Sequence, residues 1–181
     1  LGSVCLVGHV HGLCPGSRGA MLGWGLLGPA HWVVFGGFSA ESLGERLEST
    51  GAKLLVTQDE AWRKGGRVPL KATADEALEL APSVTATIVL RRTGGEVPMT
   101  AGRDRWWHDA VEGRPSTFGA EPVAAEHLLY ALAHSGSPAK PKAVVHPSGR
   151  YLAHPAPPHP ATLDLPHPHV YWQSAHLICG H

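Results

Sequence analysis

Two kinds of hydrophobic pattern alternate along the middle of the chain. "HWVVF" (His31 to Phe35) is a short unbroken apolar run closed by Gly36-Gly37, and it is expected as a buried strand. Ser39 then offers an N-cap hydroxyl with Glu41 in the first turn. Ala40, Leu43 and Leu47 follow at i, i+3 and i+7, which predicts a helix with one apolar face, stopped by Gly51. "KLLVT" (Lys53 to Thr57) is the next expected strand. Pro69 opens a second amphipathic helix with Leu70, Ala74, Ala77 and Leu78 on one face. "VTATIVLRR" (Val84 to Arg92) predicts a third strand, "GRDRWWHDAVEG" a short helix, and "LLYALA" (Leu128 to Ala133) a fourth strand. Strand and helix in alternation predict an α/β fold, a mostly parallel sheet flanked by helices.

The ends are less regular. Residues 1–17 show no convincing period, and an apolar helix is expected from about 18 to 28. "AMLGWGLLGPAHWVVFGGF" (Ala20 to Phe38) carries no full charge, but five glycines, a proline and a histidine make it a poor membrane span. A buried helix followed by a buried strand is the expectation. Nine of the sixteen prolines fall between Pro138 and Pro168, and seven of the thirteen histidines between His146 and His181. Proline fixes φ and removes a donor, so 154–169 is expected to hold neither a regular helix nor a central strand.

Composition narrows the function classes. The 181 residues fit one domain, and 43% apolar residues suffice for an ordinary core. Fifteen basic and fifteen acidic residues cancel, so no net positive field points to nucleic acid or an anionic membrane. Cys5, Cys14 and Cys179 are odd in number and form no C-x-x-C pair, which leaves a reducing cytoplasm as the expected setting. The start lacks a basic n-region, so no signal peptide is expected.

Two segments carry candidate chemistry. "SGSPAKPKAVVH" (Ser135 to His146) follows an expected strand, and small residues in such a loop let backbone N–H groups converge on a phosphate while lysines add charge. It is not a P-loop of the G-x-x-x-x-G-K-[ST] type, and from the residues alone it reads as a Ser/Pro/Lys surface loop in preference to a phosphate loop. "WRKGGR" (Trp62 to Arg67) is a basic turn whose guanidinium forks suit phosphate. Trp106 and Trp107 are expected to pack against the core rather than stack on bases. His9-Val-His11, His167-Pro-His169 and Cys179-Gly-His181 lack the paired spacing of a structural zinc site, so no metal ligands are assigned.

Several segments together resemble the AMP-forming acetyl-CoA synthetases of the adenylate-forming superfamily. They are "VVFGGFSAESLGERLESTGAKLLVTQDEAWRKGG", "VPLKATADEALELAPSV", "VLRRTGGEVPM" and "GRDRWWHDAVEG", in the family's order and spacing. "SGSPAKPKA" stands where the family has T-S-G-S-T-G-K-P-K-G, and "VYWQSA" where it has Y-W-C-T-A. The resemblance runs from about Met21 to Trp172. It implies an incomplete N-terminal AMP-binding domain: a poorly matched segment over 1–20, an α/β core over 21–145, and an irregular Pro/His-rich remainder of the same domain over 146–181.

The resemblance also implies ATP-dependent activation of acetate to acetyl-adenylate, followed by transfer to coenzyme A, with ATP, coenzyme A and Mg2+ as cofactors. Acetate, ATP and coenzyme A are then the partners, without nucleic acid or membrane. Ser135, Gly136, Ser137, Lys140 and Lys142 are the implied ATP phosphate loop. His134 and Pro138 replace the family's threonines, and Ala139 and Ala143 replace glycines. Arg63, Lys64, Gly65, Gly66 and Arg67 form the implied coenzyme A-binding segment. Gly66 falls where the family has a second basic residue, and Arg67 serves only by a shift of one place.

"HLICGH" departs from the family's G-W-V-T-G-H, and no residue is assigned a catalytic role. The family's adenine-, magnesium- and adenylation-lysine segments follow the matched part and have no counterparts here, so the isolated chain is expected to be inactive. A non-catalytic remnant with residual ATP or coenzyme A affinity and a His-rich metal-binding protein remain the alternatives.

Overall fold

The structure is a computed structural model and describes residues 7–11, 14–134 and 142–153. Its elements, in chain order, are β1 (Val7–His11), α1 (Pro15–Leu27), β2 (His31–Phe35), α2 (Ala40–Thr50), β3 (Leu54–Gln58), β4 (Ala61–Arg63), β5 (Gly66–Val68), α3 (Leu70–Glu79), β6 (Ala86–Leu90), β7 (Asp104–Trp106), α4 (Trp107–Val111), β8 (Leu128–His134), β9 (Lys142–Pro147) and α5 (Ser148–Ala153). The apolar runs become strands and the three- and four-residue periods become helices. The Ser39 hydroxyl caps α2 by accepting from the Ser42 N–H at 3.2 Å, and Gly51 ends the helix.

Among the described residues seven strands form one sheet in the order β7–β6–β3–β1–β2–β8–β9. All neighbours are parallel except β8 and β9, which are antiparallel. The fold is therefore α/β with a mostly parallel sheet. Helices cover both faces, as such a sheet requires. Val10, Trp32, Val34 and Leu55 face Leu43 and Leu47 of α2 and Ala74, Ala77 and Leu78 of α3, and all are buried. Fully burying a leucine of this kind stabilises by about 2–3 kcal/mol. The two helices meet tightly at Gly44, where an added Cβ would lie 2.8 Å from the Ala77 carbonyl oxygen. On the opposite face Val7 and Val56 pack with Ala20 and Trp24 of α1 and with Trp107.

Several elements depart from the expectations, among them β9 and α5, which run to Ala153 where an irregular remainder was expected from 146. β1 lies in the middle of the sheet, between β2 and β3, in a stretch without a convincing period. Asp104–Trp106 is a strand rather than part of a helix, held by parallel pairing with Thr87–Val89. α1 is buried on one face only: Ala20 is enclosed, while Leu22, Leu26 and Leu27 stay exposed. No helix among the described residues is long and apolar enough to cross a membrane. Residues 154–169, expected to be irregular, lie outside the described residues.

The three-residue edge strand β7 is secured by buried charge. The side chains of Lys71, in the first turn of α3, and Asp104 are fully enclosed, 2.9 Å apart. Lys71 also pairs with Asp75 at 2.6 Å, and Arg103 bridges Asp75 at 2.5 Å and Asp104 at 2.6 Å. Two cations and two carboxylates neutralise one another, which such burial demands. Burial pushes the Asp104 carboxyl up. Hydrogen bonds from Arg103, the Thr100 N–H and Lys71 outweigh it and hold the group down at about 2.

The depressed value fixes a sign. An unfolded aspartate titrates near 3.9, so the stabilisation from Asp104 is present above about pH 4 and is lost as pH falls toward 2. Asp104→Asn is expected to lower unfolding stability by about 3 kcal/mol at neutral pH, because it leaves Lys71 buried beside one fewer carboxylate. Its stability should also fall less steeply than the wild type's between about pH 4 and 2. Denaturant titrations across that range check both.

Candidate functional site

In a parallel α/β sheet, ligands bind outside the carboxyl ends of the strands, near the point where strand order reverses. Here β1 connects to β2 on one side, and the chain then returns across β1 to β3. The reversal falls between β1 and β3. Cys14, the N-cap of α1, stands beside β1, and its Sγ lies 3.8 Å from Gln58 Oε1 at the end of β3, so the two residues span the reversal point.

Asp59, directly after β3, organises this edge. Its buried carboxylate accepts from the backbone N–H of Glu60 at 2.7 Å, Arg92 at 2.7 Å, Thr93 at 3.1 Å and Gly94 at 2.9 Å. Burial raises its pKa, but these four donors outweigh that and leave it below the ordinary carboxylate value. Asp59 thereby ties the turn after β6 to the end of β3. The pinned turn presents the Thr93 hydroxyl to Glu60 Oε2 at 2.5 Å. None of Gln58, Asp59 and Glu60 was singled out from sequence. The available signal was the acidic pair placed immediately after a strand in "TQDE".

The basic segment Trp62–Arg67 is the two-stranded hairpin β4–β5, which stands apart from the main sheet. Its two-residue turn is Lys64 (φ 50°) and Gly65 (φ 78°), both left-handed, as a tight hairpin needs. Glycine fits there without strain, whereas Lys64 is the only described non-glycine residue with positive φ. Arg63 pairs with Gly66 and Trp62 with Arg67.

Because side chains alternate across a strand, Trp62 and Arg67 share one face of the hairpin and Arg63 takes the other. Arg67 lies over the Trp62 ring at 5.1 Å and reaches Glu60 Oε2 at 3.2 Å. Arg63 turns toward the main sheet and lies over the Phe35 ring at 4.7 Å, at the end of β2. A Cβ on Gly37 would collide with that guanidinium. The five residues grouped from sequence thus divide into a turn (Lys64, Gly65), a residue without a side chain (Gly66) and two arginines on opposite faces.

Of the implied ATP loop, Ser135, Gly136, Ser137 and Lys140 lie outside the described residues. The ends of the connection are described: His134 closes β8 and Lys142 opens β9, directly paired. Since β8 runs parallel to its neighbour β2, the connection departs from the edge that carries the hairpin. β3 and β8 are three strand spacings apart, roughly 15 Å. Arg63 covers part of that interval by reaching the end of β2.

The remaining sequence candidates are structural or undescribed. Trp107 packs against the core, and Trp106 stacks under Arg91 at 4.5 Å. His31 sits beside Tyr130 with ring centres 5.8 Å apart, and burial lowers its pKa to about 4. His167, His169, Cys179 and His181 lie outside the described residues. Among the described residues no three His, Cys, Asp or Glu side chains converge as a metal site.

The fold is shared with a solved structure. Acetoacetyl-CoA synthetase from Streptomyces lividans superposes with a TM-score of 0.80 over 89% of this chain and 24% of that one, at 24% identity. Sequence similarity is greater to acetyl-coenzyme A synthetases. The chain is 44% identical to that of Nostoc linckia, 46% to that of Rubrobacter xylanophilus and 48% to that of Cupriavidus necator, over 90% of its own length in each case. It spans about half of the first relative (49%) and about a quarter of the other two (26% and 25%). No protein-family model matches. The chain is thus similar to part of the acetyl-coenzyme A synthetases. The matched 164 residues exceed the 152 between Met21 and Trp172, so the likeness reaches beyond those limits.

Asp59→Asn replaces an acceptor of four N–H bonds with a group that must also present donors to them. Bonds to a charged acceptor are worth about 1.5–3 kcal/mol each. The variant is expected to lose roughly 2 kcal/mol or more of stability. Amide exchange should accelerate first at Arg92, Thr93 and Gly94, a pattern that residue-resolved exchange reads directly.

Proposed function

We propose that the chain is the portion of an AMP-forming acetyl-CoA synthetase that receives phosphate groups: those of coenzyme A at the β4–β5 hairpin, and those of ATP at Ser135–Lys142. In the complete reaction, an acetate oxygen attacks the α-phosphorus of ATP and pyrophosphate leaves. The coenzyme A thiol then attacks the acetyl carbonyl and AMP leaves. Acetate, ATP and coenzyme A are the small-molecule partners, and the cytoplasm is the proposed setting. One observation carries the reading: the hairpin stands at the carboxyl edge of the parallel sheet, the edge at which β8 ends, with Arg63 resting over the end of the strand next to β8.

The described residues supply binding rather than bond making. Arg63 offers a planar donor fork, immobilised on Phe35, and no carboxylate pairs with it among the described residues. Lys64 adds a point charge at the turn. Magnesium, which accompanies ATP in such enzymes, has no fitting group of ligands among the described residues, and no step is assigned to it. Pro138 and Ala139 weaken the hold of the loop on phosphate, since proline deletes a backbone donor and alanine resists positive φ.

Acetate-dependent exchange of pyrophosphate into ATP is therefore expected to stay at the no-protein level for this chain alone. Activity clearly above that level overturns the binding-only reading. Arg63→Ala should weaken coenzyme A about tenfold or more, the factor carried by one charge-assisted phosphate contact. It should also remove any preference over dephospho-coenzyme A. Calorimetry that finds equal affinities in wild type and variant removes the hairpin from the site. The paired changes Pro138→Thr and Ala139→Gly are expected to tighten ATP roughly tenfold, and Lys140→Ala in that background to reverse much of the gain. If the double change leaves ATP affinity where it was, the loop has no phosphate role.

A further inference from the structure

The hairpin carries a second guanidinium that is already occupied by an anion. Arg67 lies on the face opposite Arg63 and pairs with Glu60 at 3.2 Å. That carboxylate is not a freely rotating surface group. Its backbone N–H is bound to Asp59 at 2.7 Å, and its Oε2 accepts from the Thr93 hydroxyl at 2.5 Å. Thr93 is itself fixed by its N–H to Asp59. Gly95 closes over the same oxygen, where an added Cβ would lie 2.7 Å away. One buried carboxylate thus orders a turn, the turn aims a hydroxyl, and the hydroxyl aims a second carboxylate at Arg67.

The arginine end of the pair is open to competition. The Arg67 side chain is 51% exposed and that of Glu60 21%. Solvent-exposed pairs of this kind are weak, whereas a phosphate dianion forms stronger charge-assisted bonds to a guanidinium. Arg63 and Arg67, on opposite faces, cannot share one small anion, but two phosphate groups on one nucleotide can straddle the turn at Lys64-Gly65.

Building on the hairpin reading above, we propose that Glu60 attenuates a second phosphate subsite: it occupies Arg67, so a ligand with one phosphate engages the Arg63 face alone, and a second phosphate binds only by displacing the carboxylate. The ligand class whose affinity it tunes is a nucleotide bearing two separate phosphate groups.

The test compares adenosine 3′,5′-bisphosphate with AMP by calorimetry at one fixed low ionic strength, using the full chain. Glu60→Gln keeps the side chain's size and removes the competing charge. It is expected to tighten the bisphosphate about fivefold, leave AMP unchanged, and lose that gain when combined with Arg67→Ala. Thr93→Val, which removes only the aiming hydroxyl, should give a smaller gain in the same direction and covers a folding defect in the first variant. If Glu60→Gln changes both ligands equally or neither, while Arg63→Ala still weakens both, the role of Glu60 is overturned and the hairpin remains a phosphate site. If Arg63→Ala also changes nothing, both proposals are overturned.

Discussion

The rest of the structure depends on a strand that has no free edge. β1 pairs along both sides, with His31–Phe35 and with Leu54–Val56, so its backbone groups are satisfied by segments far away in sequence. Its side chains alternate between two packed faces, Val7 toward α1 and Val10 toward α2 and α3. A parallel sheet with helices on both faces leaves little surface for chemistry except its ends. The carboxyl edge, where Cys14, Gln58 and Asp59 meet, follows from that arrangement.

The buried charges fall into two systems with different work. Lys71, Asp75, Arg103 and Asp104 hold a short edge strand against the body of the domain, an effect in force at neutral pH and lost only in acid. Asp59 pairs with no cation among the described residues. It gathers backbone donors, and through Thr93 and Glu60 its order extends to the hairpin. The stiffness of the candidate site thus originates in a carboxylate that touches none of the proposed ligands.

Much of this was legible in the residues where a run or a period was long enough. His31–Phe35, the capped helix from Ala40 and the apolar face of Leu70, Ala74, Ala77 and Leu78 appear as read. β1 was not legible, because "VGHVH" mixes glycine and histidines into five residues and its pairing partners begin more than fifteen positions later. "DRW" became a strand through its neighbour and its ion pairs, neither of which composition reveals. The site was half visible. The basic residues of 63–67 stood out as a cluster, but only the register Arg63–Gly66 and Trp62–Arg67 shows that the arginines diverge. The carboxylates behind Arg67 were hidden because Asp59 is held by backbone N–H groups, and Glu60 by the Thr93 hydroxyl, more than thirty positions away.

The β4–β5 hairpin is an eight-residue excursion between β3 and α3, counted from Ala61 to Val68, that adds no strand to the main sheet. It is fastened at its base by Glu60 and along one side by Arg63 against Phe35. Nothing in the stacking of strands and helices depends on the identity of its tip. Lys64 and Gly65 are accordingly a place where lineages, or an engineer, can exchange residues and lengthen the loop while the scaffold keeps its register. Ligand preference and foldability are in this sense inherited separately.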